Sequence, residues 1–126
     1  NKVVRIVVPY PPGGTVDAVA RVVAARLSEN LGQQFIVDNR AGASGTIGSN
    51  VVAKSAPDGY TLLLQASTFV AGPLLMSNVP YEVERDFTPI TNLGAVPLLV
   101  TVHAGIPARN FKEFMGAIKA QPKKYT

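Results

Sequence analysis

Two adjoining stretches near the start of this chain decide how it folds: Val3-Val4-Arg5-Ile6-Val7-Val8, then Pro9-Tyr10-Pro11-Pro12-Gly13-Gly14-Thr15-Val16-Asp17. The first is an apolar, β-branched run that reads as a strand. The second is a Pro/Gly loop that opens directly into a helical pattern. A strand feeding a loop that starts a helix leaves backbone N–H groups unpaired where an anion can reach them. Gly13 and Gly14 permit unusual backbone angles and close approach of a ligand to the main chain. Pro11 and Pro12 stiffen the loop, so little freedom is left to lose on binding. The same residues also describe an ordinary strand-to-helix turn, and this stretch alone leaves both readings open.

Reading outward, Val16, Val19, Ala20, Val23, Leu27 and Leu31 recur at helical spacing and mark one apolar face. Thr15 is placed to cap this helix, Asp17 sits in its first turn, and Gly32 ends it. Gln34 to Asp38 reads as a second strand, and Asn39 to Gly45 as a second loop. A short helix follows through Ile47, Val51 and Val52. Pro57-Asp58-Gly59 makes a turn before a third strand, Tyr60 to Gln65, whose unbroken apolar centre predicts burial on both faces. Ser67 to Gly72 reads as a third loop, Pro73 to Met76 as the start of a short helix, and Pro80 to Arg85 as irregular and exposed. Phe87 to Leu93 and Pro97 to Val102 read as further strands. Asn110 caps a last helix with Glu113 three residues later, its apolar face is Phe111, Phe114, Met115 and Ile118, and Pro122 closes it.

Strand and helix in alternation imply an α/β fold: a mostly parallel sheet flanked by helices. Ligands of such sheets bind beyond the carboxyl ends of the strands. Three loops leave that edge, Pro9 to Thr15, Asn39 to Gly45 and Ala66 to Gly72. All three carry small polar or glycine residues that offer hydrogen bonds without bulk.

Composition narrows the function. At 126 residues and 47% hydrophobic, the chain suffices for one domain or one lobe of something larger. It has no apolar run of the ~18 to 20 residues that a membrane helix needs. Residue 1 already lies against the first strand, so an exported form is expected to have lost its signal peptide. Without cysteine there are no disulfides, thiolate metal sites or thiol nucleophiles. The net charge of +4 comes from scattered Lys and Arg, with neither the basic stripe nor the stacking aromatics of nucleic-acid binding.

The motifs of common enzymes are missing. Gly14-Thr15 lacks the lysine of a P-loop, and Gly42-Ala-Ser-Gly45-Thr-Ile-Gly48 has the wrong first spacing for a dinucleotide fingerprint. Ser67, in Gln65-Ala66-Ser67-Thr68-Phe69, is not in a nucleophile elbow. His103 is the single histidine and reads as structural, and no acid or histidine cluster has metal-ligand spacing. The expectation is a protein with no catalytic residue, no metal and no cofactor.

Four ordered motifs carry a resemblance. They are Arg5-Ile-Val-Val-Pro-Tyr-Pro-Pro-Gly-Gly14 with Asp17; Val37-Asp-Asn-Arg-Ala-Gly42 with Gly45 and Gly48; Ala53-Lys-Ser-Ala-Pro-Asp-Gly-Tyr-Thr-Leu62; and Asp86-Phe-Thr-Pro-Ile90. Together they resemble the Bug family, the tripartite tricarboxylate transporter family of receptors. These are periplasmic solute-binding proteins of Gram-negative bacteria that hold small carboxylates or amino-acid-like solutes between two α/β lobes. Family members are clamps of roughly 300 residues, a length that the ~100 to 200 residues of a typical domain would split in two. The resemblance therefore implies one lobe of a two-lobed, periplasmic-binding-protein-like fold, with residues 1–104 as the first ligand-binding lobe. Residues 105–126 would begin the hinge crossing and the first helix of the second lobe.

The resemblance also implies which residues bind. Tyr10, Pro12, Gly13, Gly14 and Thr15 would supply contacts from the first loop, many through backbone N–H groups or bridging water, and Ser67 and Thr68 from the third. Gly42 and Ala43, beside Ser44, would line the cleft, and Ser44 stands where the family commonly has Gly. Asp17 belongs to this set but reads more simply as a brace for the loop. Arg40 reads as an ion-pair partner at the cleft edge, and Lys54 and Asp58 as surface and turn residues. The expected partners are a small organic acid and the membrane components of a tripartite transporter, with no nucleic acid. Two other readings stand beside this one: an enzyme domain completed by groups elsewhere, and a lobe that meets a protein partner. The apolar face of the last helix further predicts that the chain alone self-associates as a dimer.

Overall fold

The computed structural model describes residues 2–76, 78–95 and 99–121. The chain forms two compact units, Asn1–Ile90 and Thr91–Thr126. In the first, strand β1 (Val4–Val8) is followed by helix α1 (Thr15–Leu31) and strand β2 (Phe35–Asn39). A 3-10 turn at Ala43–Gly45 leads into α2 (Thr46–Ala53), then β3 (Thr61–Leu63), α3 (Thr68–Leu75) and the single turn α4 (Val83–Asp86). The fold is α/β, a parallel sheet flanked by helices.

The sheet order is β2-β1-β3, with β1 parallel to both neighbours, Val4 opposite Phe35 and Arg5 opposite Thr61. Period-two alternation sends Ile6 and Val8 to one face, where they pack with Ala20 and Ala24 of α1. Val16, Phe35, Val37, Leu62 and Leu64 close around that cluster. Val7 is fully buried in β1, and α2 packs against β1 and β3.

The central strand is therefore the one buried on both faces, and the expectation for the third strand fails. β3 spans only Thr61–Leu63 and all three residues are half-buried, because it forms an edge of the sheet among the described residues. In α1, Ala24 is buried while Val19 and Leu31 are exposed; the small residues let the helix approach β1 closely.

Four other expectations are corrected. Thr15 is the first helical residue and does not cap α1; the cap is Gly14, extended at φ −80°, ψ 171°, with no side-chain bond. Ser67 to Gly72 is mostly helix, since α3 begins at Thr68 and continues through Pro73. Pro73 is the sixth residue of this helix, past the free N–H groups of its start, so it leaves the Phe69 carbonyl without its helical donor. Pro80 to Arg85 is mostly exposed, as expected, but it is not irregular throughout and Tyr81 is an exception to the exposure. It holds the start of α4, and Tyr81 is buried in an aromatic cluster with Phe69 and Phe87, ring centroids 4.9 to 5.8 Å apart. Phe87 to Leu93 forms no strand, and Phe87 packs into that aromatic cluster.

In the second unit, the described residues 99–102 are not in a strand, and the rest of that expected strand, residues 97 and 98, lies outside the described residues, as does Pro122. The helix α5 (Phe111–Ala120) forms as expected from its cap. Asn110 Oδ1 accepts the Glu113 N–H at 3.0 Å, and Glu113 Oε2 accepts the Arg109 N–H at 2.8 Å. Phe111 is 63% exposed, and Phe114, Met115 and Ile118 are half-buried.

Candidate functional site

Because β1, β2 and β3 are parallel, the loops that follow them leave the same edge of the sheet. Specific contacts then draw those loops together. Tyr10 Oη lies 2.7 Å from Thr68 Oγ1, joining the loop after β1 to the start of α3. Asn39 Nδ2 donates to the Tyr10 carbonyl at 3.1 Å, joining the end of β2 to the same loop. α3 packs against the Ala43–Gly45 turn. Tyr10, Pro12, Gly13, Gly14, Thr15, Gly42, Ala43, Ser67 and Thr68 thus all stand on the loops of one edge.

Asp17 organises the first loop. Its carboxylate is 3% exposed and has three donors: the Gly13 N–H at 2.9 Å, Arg21 Nε at 2.9 Å and Asn39 Nδ2 at 3.0 Å. These bonds, with that of Arg21 foremost, then Gly13 and Asn39, hold its pKa down at about 2 against the opposing effect of burial. Asp17 is therefore an anion at neutral pH that braces the loop. It also takes the Gly13 N–H out of the set of donors open to a ligand. Gly13 itself sits at φ +87°, a conformation that few side chains tolerate.

The donors that remain are those of the first turn of α1. The first backbone bond of the helix runs from Ala18 N–H to Gly14 O at 3.0 Å. Thr15, Val16 and Asp17 precede it, so their N–H groups have no helical acceptor and carry the positive end of the helix dipole. Thr15, expected as a cap, instead contributes to this turn. On the facing loop, the Ser67 side chain makes no capping bond and is exposed, and its carbonyl accepts from Val70 at 3.3 Å.

The second loop is held in an unusual shape. Gly42, Ala43, Ser44 and Gly45 all have positive φ, at +136°, +45°, +53° and +92°. Ser44 thus occupies a backbone conformation that suits glycine better. Gly48 is required for a different reason. A Cβ there would lie 2.7 Å from Pro9 Cβ and 2.8 Å from the Arg40 carbonyl, so α2 could not close on the end of β1. Ser49 is fully buried and donates to the Gly45 carbonyl at 2.9 Å, and Gln65 Nε2 reaches Ser49 Oγ at 3.3 Å. Arg40 pairs with Asp38 at 2.9 Å, the ion-pair role expected of it.

Asn39 and Arg21 were not singled out from the sequence. Arg21 was accessible as the i+4 partner of Asp17 on a helix. Asn39 stood in a quoted motif at the end of a strand, but only pairing of β2 with β1 reveals what it reaches. Away from these loops, an open depression of ≈ 510 Å³ lies beside the start of β1, lined by Lys2, Arg5, Ile36, Asp58, Tyr60 and Thr61 among others. It contains none of the candidate residues. Among the described residues, no helix is long and apolar enough to cross a membrane.

A model of the tripartite tricarboxylate transporter family receptor matches residues 19–126. The protein BugT of Bordetella pertussis is 42% identical over 121 residues, which cover 94% of this chain and 37% of BugT. Among solved structures, an R. palustris protein with adipate is similar at a TM-score of 0.81 and 37% identity, covering 98% of this chain and 42% of that one. MatC from Rhodopseudomonas palustris with bound malate gives a TM-score of 0.74 and 31% identity, covering 94% of this chain and 41% of that one. The chain spans a little over a third of the length of BugT.

Proposed function

The chain belongs to the tripartite tricarboxylate transporter family of receptors, and from that membership and the geometry of the first loop we propose that it grips a carboxylate solute in an extracytoplasmic receptor. The observation that carries this reading is the first turn of α1, where free N–H groups stand on a loop braced by Asp17 and tied by Tyr10 to Thr68. The Thr15 and Val16 N–H groups are the donors for one carboxylate group, with the Tyr10, Ser67 and Thr68 hydroxyls beside them. Neutral dipoles hold such a ligand without a buried counter-ion, so it remains releasable, as uptake requires.

The adipate and malate held by the two related structures support a small dicarboxylate as the solute class. In this reading the protein works in the periplasm as one lobe of a two-lobed clamp. It binds and releases without chemistry, and passes its solute to the membrane components of a tripartite transporter.

The test is thermal unfolding of the full-length, two-lobed receptor with succinate, malate and adipate in turn. A ligand at 100 times its dissociation constant raises stability by about 2.7 kcal/mol. Stabilisation by at least one dicarboxylate, with the acid recovered unchanged, is the expected result. No stabilisation at tens of millimolar by any of them, or conversion of the acid, would contradict the proposal.

A further inference from the structure

We propose that Asn39 is the positioning residue of the anion-binding loop: from the end of β2 it fixes both ends of the Tyr10–Asp17 segment in the form that binds. The proposal rests on the binding role given above to that loop. One amide nitrogen serves two acceptors, the Tyr10 carbonyl at 3.1 Å and Asp17 Oδ1 at 3.0 Å. The amide oxygen faces Arg21 Nη2 at 3.4 Å. Tyr10 enters the loop and Asp17 leaves it, so a single side chain clamps the segment at its two ends.

The chemistry selects asparagine. Two N–H donors on one atom are needed, and one of the acceptors is an anion. Aspartate has no donor to offer and would face the Asp17 charge, serine has one donor, and glutamine would reach too far. The mount is also rigid. Asn39 is opposite Val8 in the parallel ladder, and the next residue, Arg40, donates its N–H to the Val8 carbonyl at 2.8 Å. A residue locked in a sheet thereby sets a loop rich in Pro and Gly, which removes freedom that the ligand would otherwise have to freeze out.

The experiment is amide-resolved NMR of the chain, comparing the native protein with Asn39→Ala, Asn39→Ser, Asn39→Asp and the exchanged pair Asp17→Asn/Asn39→Asp. Hydrogen exchange at Gly13 reads the loop without any ligand, and titration with succinate and adipate reads affinity. The proposal expects Gly13 exchange to quicken at least tenfold in Asn39→Ala, with affinity about tenfold weaker while the β1 amides stay protected. Asn39→Asp should be worse than Asn39→Ala, and the exchanged pair should recover part of the loss, since an amide at 17 can donate to a carboxylate at 39. If Asn39→Ala does not fold, Asn39→Ser carries the same comparison with one donor retained.

Gly13 exchange within twofold of the native protein would overturn the proposal, whatever happens to affinity, because Asn39 would then touch the ligand or do nothing. Faster Gly13 exchange in a chain that binds neither acid even in native form would uphold the positioning role and defeat the binding one. No recovery in the exchanged pair, with Asn39→Asp no worse than Asn39→Ala, would reduce Asn39 to simple packing and overturn the proposal.

Discussion

Helices α1 and α5 begin with the same device. In each, an acid at the third helical position accepts the N–H of the residue before the cap: Asp17 from Gly13 at 2.9 Å, and Glu113 from Arg109 at 2.8 Å. What surrounds the acid differs. Asp17 is buried, and a strand residue, Asn39, bonds to it from 22 positions away. Glu113 is exposed and, among the described residues, its side chain bonds no further than Arg109 and Asn110. The first unit also has a buried core beneath its helix, whereas no described residue between 91 and 121 is fully buried. Local sequence can start a helix. A distant strand is needed to turn the start of a helix into a rigid site.

The strongest way to break this contrast is to disturb the packing that brings the strand ends and helices together. Gly48→Val forces a side chain against Pro9 and the Arg40 carbonyl. It should cost about 2 to 3 kcal/mol and lower the thermal midpoint by roughly 10 to 20 °C. A midpoint within a few degrees of the native chain would mean that α2 does not set the site.

A smaller effect reads the charge on Asp17 through the response to pH. The folded pKa of Asp17 is about 2, below its ordinary 3.8. Its contribution is therefore complete above that ordinary value and is lost as pH falls toward 2. Asp58, through Lys2, and Asp86, through Arg85, are also lowered and add to acid unfolding. Comparing Asp17→Asn with the native chain isolates the one of interest. The gap in thermal midpoint should be widest at neutral pH and close by about pH 2. A gap constant from pH 7 to pH 2 would contradict the account of Asp17 as a charged brace.

In the second unit the effects should be local. Asn110→Ala removes the side chain that accepts the Glu113 N–H and should weaken α5 by about 1 kcal/mol, seen as faster amide exchange across 111–120. The same variant should leave the exchange of β1 amides unchanged. Smallest is Gly116→Ala, where a methyl group meets nothing within 4 Å. Removing a mid-helix glycine there should strengthen α5 by about 0.5 to 1 kcal/mol, slowing its exchange by a few-fold. Slower exchange in α5 after Asn110→Ala, or faster exchange after Gly116→Ala, would show that α5 is not governed by local terms.

The same distinction explains what could be read from the sequence. β1, α1 with its Gly32 end, the Pro57–Gly59 turn and the Asn110 cap are written in adjacent residues and appear where expected. That the three loops leave one edge of the sheet followed from strand order alone. The third strand was misjudged because burial depends on position in the sheet, which an apolar run of Leu62 to Leu64 does not encode. Residues 67–72 looked like a loop because Ser, Thr and Gly flank them. Phe69 nevertheless turns them into a helix by stacking with Tyr81 and Phe87, which follow it by 12 and 18 positions. The partnership of Asn39 with Tyr10 and Asp17 was hidden for the same reason. It exists only once β2 lies beside β1.

The most direct test of the central claim is an amide chemical-shift titration of the chain with a dicarboxylate such as succinate or adipate. The account predicts that the largest shifts fall on Gly14, Thr15, Val16 and Thr68, with the α5 amides from 111 to 120 unmoved. Largest shifts at Lys2, Arg5 and Tyr60, beside the depression near the start of β1, would contradict it, as would no shift at saturating concentrations.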